Sequence, residues 1–185
     1  LLDSVVKQKL GMGLIIFNKM KPFFLSSQLM QTSIAKDMTE ALDLHLLKKA
    51  RDAGKLAFGI EKFSDQMNAI DQISLEEQCE MLMESVKDTA KEDEMFDGLL
   101  KAYIHANLDT MITLSSDTSM PEKFNEAFLI DRNKGMAKNI IKISKKHKTF
   151  HAIGAAHLGG DEGVIALLRK KGYTVKPIPF NFKKN

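Results

Sequence analysis

From Lys62 to Lys145 the chain carries helical patterning with few interruptions, chiefly Gly98, Pro121 and Gly135. Short apolar segments bounded by turn residues enclose this run: Lys55–Ile60 before it, Thr149–Ile153 and Tyr173–Ile178 after it. Each reads as a strand, because four to eight apolar residues between turn signals suit a strand better than a helix. A helical pattern between the last two completes a β–loop–α–β unit, which favours neighbouring strands in one sheet. The expected fold is therefore α/β, a small mixed sheet with a large, mostly helical insertion over 62–145, within a single domain of residues 1–185.

The helices have legible ends. Weak helical patterns cover 1–10 and 26–36. Thr39 is expected to cap a helix through Ala41, Leu42, Leu46, Leu47 and Ala50 that Gly54 stops. Ser74 and Glu77 form a capping box ahead of a helix through Cys79, Leu82 and Val86. Further helices are expected at Met95–Ala106 and Met111–Leu114. Pro121 suits the first turn of another, carrying Phe124, Phe128, Leu129, Met136, Ile140 and Ile141. The basic run Lys145–Lys148 falls at its C-terminus, where the helix dipole favours cations. Asp161 is expected to cap the last helix, Glu162–Lys171, which Gly172 ends.

Composition narrows the classes. The 185 residues carry 27 basic and 24 acidic side chains, a net charge of +3. That small excess argues against nucleic acid as the main partner. The lone cysteine, Cys79, excludes a disulfide framework and a Cys-rich zinc module, and reads as a buried small hydrophobe. Eleven methionines with no tryptophan make Met a core filler, with a Met-lined ligand groove as the alternative. The most apolar stretch, Gly11–Leu25, includes Asn18, Lys19 and Lys21, too polar to cross a bilayer; it is expected to pack as a helix on its own domain. Leu1 to Val6 shows neither a basic leader nor a small-residue cleavage site, so a processed product or fragment is expected. The tail, Asn181–Asn185, reads as a frayed basic end.

Ligands in open α/β sheets bind beyond the carboxyl ends of strands. Glu61 and His157 stand at two such ends. Neighbouring strands would bring them together, and imidazole with carboxylate is a usual pair for zinc or a similar ion. The alternative is a loop histidine and a carboxylate that only hydrogen-bond backbone. Two ligands also fall short of the three that catalytic sites usually use.

The run from Gly154 through His157, Gly159 and Gly160 to Gly172, Tyr173 and Val175 resembles the C-terminal motif of the TraB/GumN family, which is related to the Tiki proteases. That motif has a GxxH step, a glycine and an amphipathic helix ending in Gly-Tyr-x-Val. Leu42–Asp43 through Gly54 into Gly59-Ile60-Glu61, with Gln66 beyond, is similar to the family's central block. Arg132, Asn133 and Met136 resemble its Arg-Asn-x-x-Met segment, and Lys21-Pro22-Phe23 its basic-Pro-aromatic step. The resemblance spans about residues 20–178. It implies a ChaN/Tiki-like fold and a divalent-metal site (zinc, manganese or cobalt) with two GxxH motifs, a glutamate and an arginine.

By position, Glu61, Arg132 and His157 take three of those roles: His157 and Glu61 as metal ligands, Glu61 also as general base, and Arg132, with Asn133, as catalytic and substrate-binding groups. The first GxxH has no counterpart here. The chain is thus expected to lack a strand and one ligand, and to form a homo-oligomer or domain swap through the exposed sheet edge. The resemblance also implies a bacterial protein exported to the periplasm or beyond, with a lipid anchor upstream. Three functions follow: a metal-dependent hydrolase acting on peptides; a non-catalytic binding protein for a peptide, pheromone or haem-like ligand anchored by Arg132; or a structural module with Glu61 and Arg132 as an ion pair.

Overall fold

The structure, a computed structural model, describes residues 1–32, 40–87, 89–116 and 122–179. Its elements are helical: α1 (Leu2–Leu10), α2 (Pro22–Gln31), α3 (Leu42–Asp52), α4 (Phe63–Asp71), α5 (Leu75–Lys87), α6 (Thr89–Ile104), α7 (Leu108–Ser116), α8 (Glu122–Asn125), α9 (Asp131–Ser144) and α10 (Val164–Lys170), with one π-helical turn, Glu126–Ile130, joining α8 to α9. Thr39, Pro121 and the basic tail lie outside the described residues.

Among the described residues there is no β-strand, which overturns the α/β expectation and its mixed sheet. The segments 55–60, 149–153 and 173–178 are irregular, and no backbone hydrogen bond joins one to another. Their apolar side chains go to helices instead. Ile60 and Ile153 pack against Met136 and Ile140 of α9 and Val164 of α10, with Leu168 alongside. The outward residues find no cover: Leu56 is 85% exposed and Phe150 82%. Apolar spacing reports which side chains face inward; it does not report whether a neighbouring backbone is there to pair.

A second core lies at the other end of the chain. Val6 of α1, Leu25 and Leu29 of α2, and Leu82 and Val86 of α5 are buried together. Leu14 and Phe17 pack against them from a 3₁₀ turn, Leu14–Phe17, whereas Ile15 and Ile16 between them are exposed, so the first part of the apolar stretch after Gly11 is a half-covered turn ahead of α2 and not a packed helix. The Ser74–Glu77 capping box forms as read: Ser74 N–H donates to Glu77 Oε2 at 2.9 Å and Glu77 N–H to Ser74 Oγ at 3.2 Å.

Cys79 is exposed, not buried. The inward stripe of α5 is Gln78, Leu82 and Val86, spaced by four. Gln78 tolerates burial at 2% exposure because its amide donates to the carbonyls of Ile73 (3.0 Å) and Ile70 (3.4 Å). Several methionines also miss the core: Met12, Met20 and Met30 are exposed. At the far end, α10 starts at Val164 behind Gly163, so Asp161 does not cap it. Gly172 does end this region, at φ 85°.

Candidate active site

Glu61 sits at a bend between an irregular segment and a helix. The carbonyl of Ile60 accepts from Asn139 Nδ2 at 2.7 Å, which ties the incoming segment to α9. Lys62 then starts α4, its N–H donating to Asp65 Oδ2 at 3.0 Å. This places Gln66 in the first turn, where Nε2 donates to Glu61 Oε1 at 2.8 Å.

Arg132 lies in the first turn of α9, just past the π-helical turn. Phe124 and Phe128 stack at 4.8 Å between centroids, and Phe23 packs on both, at 5.9 and 5.6 Å. The Arg132 guanidinium continues this column, its Cζ 4.7 Å from the Phe128 ring centroid. Lys21, just before Phe23, pairs with Asp71 of α4. With the guanidinium plane fixed, Nε and Nη2 donate to the two Glu61 oxygens at 2.9 and 2.6 Å, and Nη1 donates to the Phe128 carbonyl at 3.1 Å. The ion pair read as one alternative from the sequence is thus present, with side chains 10% and 18% exposed. A guanidinium has five N–H donors, and three are used here.

His157 closes a 3₁₀ turn, Ala155–His157, and is 9% exposed. Its Nδ1 lies 2.8 Å from Asn133 Oδ1, and Asn133 Nδ2 donates to the Glu162 carbonyl at 3.0 Å. Glu61 with Arg132, and Asn133 with His157, thus form two hydrogen-bonded pairs, and Glu61, Arg132 and His157 lie close enough to influence one another electrostatically. The sequence reading missed the supports: Gln66 as a ligand of the carboxylate, Phe128 beneath the arginine, Asn139 and the Glu162 carbonyl. A polar Asn139 on the inward stripe of α9, beside Met136 and Ile140, was the one available signal for these.

The charges follow from this packing. Arg132 holds the Glu61 carboxyl below its ordinary value, chiefly by hydrogen bonding, with burial opposing and Gln66 assisting. Burial pushes the His157 imidazole down, and the Arg132 charge adds to this, while Glu61 opposes. The ring is thus neutral at pH 7.

Both shifts give stability that acid removes. The unfolded chain takes up protons at His157 near pH 6.5 and at Glu61 near pH 4.5, before the folded protein does. The melting temperature is therefore expected to fall in two stages as pH drops below these values. Burial also lowers His151, so His157→Gln flattens only part of the upper stage, and because hydrogen bonds also lower Glu77 and Asp3, Glu61→Gln flattens only part of the lower. A melting temperature that rises between pH 6.5 and 5.5 would contradict this ordering.

As a metal site the cluster is partial. His157 and Glu61 have the right donor chemistry, but no group of three or more His, Cys, Asp or Glu side chains is poised to hold an ion among the described residues. Both Glu61 oxygens are also engaged by Arg132, whose positive charge opposes a cation there. On the Glu61–Arg132 side lies an open cleft of about 420 Å³, with Asp65, Asn68, Asp131 and Asn139 in its walls. His157 is not part of its lining. Among the described residues, no helix is long and apolar enough to cross a membrane.

Residues 1–177 match the TraB/PrgY/gumN family. Among curated proteins, the chain is 24% identical to a metalloprotease TIKI homolog of Nematostella vectensis over 73% of its length, and 23% identical to metalloprotease TIKI2 of Xenopus tropicalis over 83%. It is 24% identical to a metalloprotease TIKI homolog of Amphimedon queenslandica over 86%. These matches cover 35%, 35% and 37% of the relatives, so the chain spans about a third of their length. No solved structure matches it.

Proposed function

Because the chain belongs to the TraB/PrgY/gumN family, we propose that it hydrolyses peptides, as a metal-dependent hydrolase related to the Tiki metalloproteases. The observation that carries this reading is the Glu61–Arg132 pair in the wall of an open cleft, with the hydrogen-bonded Asn133–His157 pair within electrostatic reach of it. A neutral imidazole can accept a proton from water. The two unused N–H groups of Arg132 suit a substrate carboxylate or the oxyanion that forms on attack. The relatives are named metalloproteases, which brings a divalent ion into the reading, with zinc, manganese and cobalt as the ions to try. His157 and Glu61 are the donors this chain would contribute, and a bound ion would polarise a carbonyl.

The test is cleavage of a fluorogenic peptide library with each of the three ions added. Wild-type protein is expected to turn over, and His157→Ala to lose roughly 10²–10⁴-fold in rate. Equal cleavage by the two proteins, after each is repurified, removes the reading. His157 is a better target than Glu61, since Glu61→Gln leaves the Arg132 charge uncompensated.

A second reading has its own support. A ligand filling the cleft meets Arg132 and Glu61, whereas His157 is not in the lining. That favours a binding protein that captures a peptide or small ligand without product. Saturation at one ligand per chain with no turnover, lost in Arg132→Met, would select it.

A further inference from the structure

Three groups in a row, a carbonyl, an amide and the imidazole, decide which nitrogen of His157 carries its proton. The Glu162 carbonyl can only accept, so the Asn133 side-chain atom facing it at 3.0 Å is the NH₂ group. The amide is thereby oriented, and its oxygen points at His157 Nδ1, 2.8 Å away. An amide oxygen can also only accept, so Nδ1 must be the donor. In a neutral ring the lone pair then belongs to Nε2.

The Glu162 carbonyl is itself held by a tight loop. Gly163 N–H donates to the Gly160 carbonyl at 3.1 Å, and Ile165 N–H to the Leu158 carbonyl at 3.3 Å. A Cβ on Gly163 would meet the Gly159 carbonyl oxygen and lie 2.6 Å from that of Leu158. Only glycine lets the two limbs of this loop approach so closely.

We propose that Asn133 is a positioning residue: oriented by the Glu162 carbonyl, it holds His157 as the Nδ1–H tautomer with Nε2 bare. Its value for function rests on the hydrolase reading, because a bare Nε2 is the atom that would take a proton from water or bind an ion. The tautomer itself does not depend on that reading. A histidine ligand fixed through its other ring nitrogen is a recurrent arrangement, and loss of the fixing partner typically costs 10–100-fold in affinity or activity.

The experiment is a two-bond ¹⁵N–¹H correlation spectrum of the imidazole rings, recorded on metal-free protein at a pH where His157 is neutral. Wild type is expected to show His157 protonated at Nδ1. Asn133→Leu removes the acceptor and is expected to release this preference. Asn133→Asp still accepts from Nδ1–H and is expected to keep it. A wild-type ring protonated at Nε2, or an unchanged Nδ1–H form in Asn133→Leu, overturns the proposal. Should Asn133→Leu not fold, wild type and Asn133→Asp still decide it, since protonation at Nε2 in either one overturns it. Absence of peptide turnover with an intact Nδ1–H signal would remove the hydrolase reading and leave the tautomer assignment standing.

Discussion

Arg132→Met is expected to lower the free energy of unfolding by about 3 kcal/mol. That is the low end of the ~3–5 kcal/mol seen when one partner of a buried ion pair is removed. The low end applies because the Glu61 and Arg132 side chains keep 18% and 10% of their exposure. The loss does not measure the attraction of the pair. It arises because the Glu61 carboxylate stays half-buried with only Gln66 as a side-chain partner. The double variant Glu61→Met, Arg132→Met is therefore expected to recover most of the deficit, since no charge is then left alone. Urea denaturation of the four proteins closes the cycle. Single-variant losses under about 0.5 kcal/mol would mean the pair is worth no more than an exposed surface contact.

Gly163→Ala is expected to cost about 2–3 kcal/mol, at the upper part of the range for forcing extra volume into a packed site. The backbone conformation is not the obstacle: φ is −75°, which alanine adopts freely. The obstacle is steric, and it comes from backbone. The new Cβ meets the carbonyl oxygens of Gly159 and Leu158, which cannot rotate away as a flexible side chain would. The loop must open, moving the start of α10 and the Glu162 carbonyl on which Asn133 leans. Gly135→Ala is the control. It lies inside α9 with nothing within 4 Å of its Cβ, so the higher helix propensity of alanine should leave stability equal or raised by up to about 1 kcal/mol. Denaturation midpoints that do not separate these two variants would show that the loop is looser than described.

Much of the local structure was legible because it depends on neighbours in sequence. The Ser74–Glu77 capping box, the helical run after Lys62 and the stop at Gly172 each involve residues a few positions apart. Phase within a helix is harder. Cys79 looked like the core residue, yet Gln78 holds that place, because backbone carbonyls from another turn satisfy its amide. Glu61 and His157 could be singled out by type and setting, and Arg132 and Asn133 by the family resemblance. Beyond the Glu61–Arg132 pair, their partners could not: Gln66 and Phe128 carry no local signal for these contacts, and the acceptor for Asn133 is a carbonyl, which every residue has.

The sequence by itself determined the features set by near neighbours, the Ser74–Glu77 capping box, the helical run after Lys62 and the turn at Gly172, since each is fixed by local backbone chemistry. Tertiary structure alone decided what the inward residues meet. Ile60 and Ile153 were read as parts of a sheet but rest on α9 and α10, without ladder hydrogen bonds. It also decided the state of the candidate site. Whether Glu61 is a free carboxylate or one held by a guanidinium depends on Phe23, Phe128 and Gln66, which meet only when the chain has folded. A strand, like an ion pair, needs a partner distant in sequence, and no local pattern states which partner arrives.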